Sequence, residues 1–139
     1  MAFVLDASVT ACWAFPDEHD LRADDALARI RTEEAIVPSL WWFEVRNILV
    51  VNERRKRITE SGTNSFLREI DKLRFRVDRE PDEAVILRLA RTHRLTVYDA
   101  AYLELALRAA IPMATLDKDL AAAAVTEGST LIGVKKAHR

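Results

Sequence analysis

Three apolar runs too short to be helices divide this chain, and each is followed by a stretch with helical spacing. Phe3-Val4-Leu5, Ala35-Ile36-Val37 and Pro112-Met113-Ala114-Thr115-Leu116 have the length of strands. They lack the in-out alternation of a half-exposed sheet, which is the pattern of strands covered on both faces. Short buried strands alternating with helices predict an α/β fold: a central parallel sheet flanked by helices on both faces, three layers in all. No other feature of the chain narrows the architecture as much.

The intervening segments fill in the order. Ser8 is expected to cap a helix running through Cys12 to Phe15, ended by Pro16. Asp20 to Arg31 has helical spacing, with Leu21, Ala26, Leu27 and Ile30 apolar. Ser39 is expected to start a long helix reaching about Arg57, and Thr59 or Ser61 another through Leu73. Phe75-Arg76-Val77 reads as a further strand. Pro81 is expected to open a helix, Val97 to Ala110 forms the next, and Lys118 to Thr126 follows the strand ending at Leu116. Thr130-Leu131-Ile132 is expected to be a last strand. The 139 residues suit one domain, 1–139.

Composition mainly excludes. One cysteine, Cys12, allows no intrachain disulfide and no thiolate zinc site. No stretch approaches the ~20 apolar residues of a membrane helix, and the first residues lack the basic, then apolar, pattern of a secretion signal. A cytoplasmic location without membrane attachment is expected. The formal net charge of −1 neither supports nor excludes a nucleic-acid substrate, because phosphate binding depends on local clusters of cations. His19, His93 and His138 have no metal-ligand spacing, and Ser8 has no matching histidine for a hydrolase triad.

Four carboxylates stand out by position. Ligands of open parallel sheets bind beyond the carboxyl ends of the strands. Asp6 directly follows the first strand, and Asp117 follows the strand ending at Leu116. Each could instead cap the helix after it. Glu44 falls on the apolar stripe of its helix, with Leu40, Trp41, Ile48 and Val51, where an unpaired carboxylate is costly. A salt bridge to Arg55 is the alternative. Asp99 shares a face with Leu103, Ala106 and Ala110, opposite Glu104 and Arg108, and could alternatively be a first-turn acid favoured by the helix dipole. If the four converge, they must take up protons or hold cations. Carboxylates without His or Cys suit hard ions such as Mg²⁺ or Mn²⁺, which serve phosphodiester hydrolysis by activating water and neutralising phosphate charge.

The motifs around these acids resemble those of PIN-domain ribonucleases, in particular the VapC-type toxins of bacterial toxin–antitoxin pairs. The resemblance covers nearly the whole chain. It is carried by Phe3-Val4-Leu5-Asp6-Ala7-Ser8, by Val37-Pro38-Ser39-Leu40-Trp41-Trp42-Phe43-Glu44-Val45, by Thr96-Val97-Tyr98-Asp99-Ala100-Ala101-Tyr102-Leu103-Glu104-Leu105-Ala106, and by Met113-Ala114-Thr115-Leu116-Asp117-Lys118-Asp119-Leu120. The third segment is the most specific. The resemblance implies a PIN-like fold, Mg²⁺ bound chiefly through Asp6 and Asp99, and Glu44 and Asp117 completing the acidic site. It implies that Ser8 and Thr115 support the acids and that Asp119 is an outer ligand or simply a first-turn acid. It also implies an RNA substrate (tRNA or another structured RNA), homodimerisation, and inhibition by a small VapB-type antitoxin.

Other features are weaker. Arg54-Arg55-Lys56-Arg57 could hold RNA phosphates, about three helical turns or ~15 Å from Glu44, or could be a solvated helix end. Arg46, nearer the acids, is a candidate RNA or antitoxin contact. Trp41, Trp42 and Phe43 span most of a helical turn and cannot all face one core. Core or interface packing is expected for them ahead of base stacking. Two other functions remain: a housekeeping PIN-domain nuclease of RNA processing, and a phosphatase or phosphotransferase with Asp6 as nucleophile. The latter usually wants a second acid two residues on, where this chain has Ser8.

Overall fold

A computed structural model describes residues 1–133. Within it lie, in order, β1 (Phe3–Leu5), α1 (Ala7–Cys12), α2 (Leu21–Arg29), β2 (Ala35–Pro38), α3 (Leu40–Arg54), α4 (Glu60–Ile70), β3 (Phe75–Asp78), α5 (Glu83–His93), α6 (Val97–Ala109), β4 (Met113–Ala114) and α7 (Lys118–Thr126). The four strands form one sheet in the order β3-β2-β1-β4, and every pairing is parallel. With helices on both faces, this is the three-layer α/β/α arrangement that the alternation of elements predicts.

β1, β2 and β4 are buried along their whole length, whereas edge strand β3 is partly exposed. That difference explains why only β3 mixes charged with apolar residues. Its Arg76 reaches Glu34 at 3.0 Å across the edge. The chain builds outward from β1 to β2 to β3, then returns through α5 and α6 to place β4 on the far side of β1. The strand order therefore reverses between β1 and β4. At such a reversal the connections leave in opposite directions, and a crevice opens at the carboxyl ends of the two strands.

Several expectations shift at their ends. The helix after β1 starts at Ala7 with Asp6 in the N-cap position, so Ser8 lies inside it and does not cap. Helix α3 starts and stops inside the predicted span, and Thr59, not Ser61, caps α4 by accepting from the Gly62 amide. Asp82 in place of Pro81 leads into α5, accepting from the Val85 amide. Thr130-Leu131-Ile132 contributes only an isolated parallel bridge, Leu131 with Met113. His138 lies outside the described residues.

One correction concerns charge. Glu104, expected to face away from the core, is 1% exposed. Its carboxylate accepts from Arg108 Nε at 2.6 Å, and the same guanidinium reaches Asp78 at 2.7 Å. The Asp82 amide also donates to Glu104, at 3.3 Å. Helix α5 packs on α6 and takes away the solvent that the helical wheel assigned to that face. The buried charge is tolerable because it is paired and hydrogen-bonded. Removing it leaves donors unmatched: E104A should lose about 2–3 kcal/mol of folding stability in chemical denaturation, and E104Q, which retains an acceptor, should lose less.

Candidate metal centre at the sheet reversal

Asp6 leaves β1 at the reversal. Its amide donates to Ala114 O at 3.0 Å, tying it to β4. The side chain is 5% exposed. Two hydroxyls converge on one of its oxygens: Ser8 Oγ and Thr115 Oγ1 each donate to Oδ2 at 2.7 Å. These hydroxyls are themselves acceptors. Leu116 N donates to Ser8 Oγ and Asp117 N donates to Thr115 Oγ1, each at 3.0 Å. A chain of hydrogen bonds thus runs from the loop after β4 to the buried carboxylate, leaving Oδ1 without a hydroxyl donor.

Asp117 follows from that loop. It caps α7, with Oδ1 accepting from the Leu120 amide at 2.8 Å. The capping reading of Asp117 therefore holds, and the cap engages only one of its two carboxylate oxygens.

Glu44 does not pair with Arg55. Its Oε1 accepts from the hydroxyl of Tyr102 at 2.6 Å. Tyr102 is 0% exposed and lies on α6, three residues after Asp99, so one side of α6 supplies both an acid and the group that orients another acid. Asp99 enters by a different route. Thr96 caps α6 by accepting from the Asp99 amide at 3.0 Å, which fixes the first turn on which the carboxylate stands.

Burial and mutual repulsion raise three of the four acids. Burial, then the charges of Asp117, Asp6 and Asp119, push the Asp99 carboxyl up to about 6. Asp6 is raised chiefly by burial, against the lowering effect of its two hydroxyl donors, with a further rise from Asp117. Glu44 is raised by burial and by Asp6 and Asp99. Among the described residues no Lys or Arg pairs with any of these four carboxylates. Asp119 is exposed in the first turn of α7 and acts on Asp99 from the rim. Arg46 is held along its own helix: its guanidinium stacks 3.9 Å from the Trp42 ring centre and donates to Trp42 O at 3.2 Å.

The donor set fits a hard cation that keeps water. Glu44 and Asp117 each have one oxygen anchored by the protein and the other without a described protein donor, and both hydroxyls on Asp6 take the same oxygen. No three acidic, His or Cys side chains among the described residues close into a preformed cage. A partly hydrated Mg²⁺ asks for one or two carboxylates and not a full cage.

Tyr102 and Thr96 are the groups that reasoning from the four acids alone passes over. The available signal was a polar-tipped aromatic inside the buried run Ala100–Ala106, one helical turn beyond Asp99.

Comparison with known proteins gives the family. The PIN domain profile matches residues 3–126. This chain belongs to the PIN-domain family. Among VapC-type members, Ribonuclease VapC3 of Pyrobaculum aerophilum is 33% identical over 125 residues, covering 87% of this chain and 93% of that protein. PAE2754 from the same organism matches the fold with a TM-score of 0.71 at 23% identity, over 94% of this PIN domain and 89% of that chain. FitAcB from Neisseria gonorrhoeae matches at 0.64 and 16% identity, over 94% and 96%. Mycobacterium tuberculosis VapC20, titled a sarcin–ricin loop cleaving toxin, matches at 0.56 and 15%, over 87% and 94%.

Two measurements on the metal-free PIN domain follow. E44Q keeps an acceptor for Tyr102 and removes a repelled charge, so its melting temperature should equal or exceed the parent's. E44A strands a buried hydroxyl and should lose about 1–3 kcal/mol. A fall of several degrees in E44Q would mark Glu44 as a structural partner instead. The second measurement concerns Asp99, whose folded value of about 6 lies above its ordinary 3.8. The folded state therefore holds a proton that the unfolded state has released, and stability is lost as pH rises through that window. The melting temperature of D99N, relative to the parent, should climb across the same interval and level off above it.

Proposed function

We propose that this PIN domain is an Mg²⁺-dependent endoribonuclease and the toxin of a VapBC-type toxin–antitoxin pair. The observation that carries this reading is a cluster of carboxylates, unneutralised by any described cation, at the point where the strand order reverses. Repelled acids in that position are a ready site for a divalent ion and, through it, for a phosphodiester. The names of relatives support the substrate: VapC3 is a ribonuclease, and VapC20 is a sarcin–ricin loop cleaving toxin.

Asp6 and Asp99 would hold the ion, with Glu44 and Asp117 completing the acidic wall; Mn²⁺ has the same ligand preference. When bound, such an ion activates water and neutralises charge on the phosphate. The chain's own residues prepare that chemistry. Ser8 and Thr115 fix the plane of the Asp6 carboxylate, Tyr102 aims Glu44, and the α7 cap aims Asp117. Outer partners of this kind commonly hold metal affinity or activity up by 10–100-fold. All are set before substrate arrives, so little reorganisation is left for the reaction.

The remaining elements of the proposal are a structured RNA such as tRNA as substrate, a small VapB-type antitoxin as partner, a homodimer, and action in the cytoplasm by one domain over 1–139. Among the described residues no helix is long and apolar enough to cross a membrane. Purified free of any partner, the chain should cleave total tRNA with Mg²⁺ and not with EDTA. D6N should be slower by at least about 100-fold, more than the loss of an outer partner. No cleavage by the parent, or equal cleavage by D6N, would sink the proposal. A neighbouring gene for a small antitoxin separates the toxin from a housekeeping nuclease.

A further inference from the structure

The acidic site has a basic neighbour on the same helix. Helix α3 carries Glu44 near its start, and α3 packs against α1, the helix that follows Asp6. A cavity of about 260 Å³ lies there, lined by Ser8, Phe15, Glu18, Asn52, Arg55 and Arg57, among others. Ser8 is the residue whose hydroxyl grips Asp6, so the cavity and the acidic site share a wall.

The corner beside this cavity is tightly organised. Lys56 adopts φ 59, a left-handed conformation that costs a residue with a side chain roughly 1–2 kcal/mol. The turn brings Arg57 back along the helix. Arg57 N donates to Asn52 O at 2.9 Å, and Nη1 donates to Asn52 Oδ1 at 2.9 Å. Asn52 is only 6% exposed and is held by its own bond to Ile48 O at 2.8 Å. The Arg57 guanidinium lies 4.6 Å from the Phe15 ring centre and meets Glu18 at 2.8 Å and Asp17 at 3.2 Å. Arg57 is thus neutralised in place, and the face of Phe15 is covered. Arg55 differs: it lines the cavity, is exposed, and has no carboxylate partner among the described residues.

We propose that this cavity is a subsite for a backbone phosphate of the bound RNA, with Arg55 as its charged contact. The inference rests on the ribonuclease reading above. Four unneutralised acids repel every phosphate except the one a cation holds, so the flanking chain needs a cationic grip away from them. A guanidinium suits that task because its fork binds phosphate oxygens in pairs. Arg55 is eleven residues along α3 from Glu44, roughly 16 Å, so it would take a phosphate beyond the scissile nucleotide. Its effect is then on binding and register and not on the bond-breaking step. A base is the poorer occupant, because the aromatic surface of the cavity is already stacked under Arg57.

The test uses the full chain, with D6N as background for binding of a short single-stranded RNA in Mg²⁺, and the parent background for kinetics. R55A should weaken binding about tenfold and flatten the slope of log K against log salt by about 0.7, the value for one single-strand phosphate contact. In kinetics KM should rise while kcat holds. R55K should restore most of the salt slope, and K72A, an exposed ion-pair residue, should change nothing. An unchanged salt slope and KM in R55A would overturn the subsite, as would a fall in kcat at constant KM. So would Arg55-dependent stabilisation by inorganic phosphate alone with RNA binding unaffected. Cleavage by the parent with R55A indifferent removes the subsite and leaves the ribonuclease reading intact. A parent that neither binds nor cleaves RNA removes both.

Discussion

The rest of the site depends on the burial of one carboxylate. Asp6 is almost out of solvent and has no described cation beside it, an arrangement that in isolation would cost several kcal/mol. It is partly relieved by Ser8 and Thr115, both aimed at the same oxygen. These hydroxyls stay in place because each accepts an amide from the loop after β4. The carboxylate, the loop and the cap of α7 therefore form one hydrogen-bonded unit. Four residues of that unit, Asp6, Ser8, Thr115 and Asp117, come from sequence positions more than a hundred residues apart, joined by the pairing of β1 with β4.

Much of this was legible in the sequence, for identifiable reasons. Strands buried on both faces leave continuous apolar runs, so β1 and β2 are plain, and acids immediately after strands mark the carboxyl edge of the sheet. Glu44 was visible as a charge inside an apolar stripe. What the stripe could not reveal was its partner, because Tyr102 is 58 positions away and only the tertiary fold brings its hydroxyl to Glu44. The helix after β1 illustrates a local limit. Asp6 and Ser8 are both good caps, and propensity alone does not choose between them. Neither side chain caps: the N-cap position falls to Asp6 because β1 ends there, its carboxylate makes no cap bond, and Ser8 bonds backward to it. Glu104 shows the opposite failure: a helical wheel assigns a face to solvent without knowing that α5 will cover it.

The helix α3 gathers two roles that net charge conceals. A formal charge of −1 averages an acidic crevice and a basic arm, whose fields act over distances comparable to the ~8–10 Å screening length in salt. At about 16 Å apart along one rigid rod, the two are nearly independent in salt yet mechanically joined. Phe43 and Trp42, at 70% and 50% exposure, extend the outer face of the same helix, while Trp41 turns inward onto Phe75 with ring centres 4.7 Å apart. The three aromatics thus divide between core and surface, as a helical turn requires.

This division of labour explains why the corner at Lys56 is worth its strain. Were the chain to continue as an α-helix past Arg54, Arg57 would be carried along the axis and away from Phe15 and Asn52. The left-handed turn folds it back, so that Arg57 neutralises Asp17 and Glu18 beside α1. Without that neutralisation, Glu18 would stand as a further unpaired carboxylate on the cavity next to Ser8. The turn therefore pairs the Glu18 charge beside the cavity, and it leaves Arg55 as the cavity's cation without a carboxylate partner among the described residues. One backbone conformation at Lys56 thus decides which of the two neighbouring arginines is spent on pairing and which remains open to an anion.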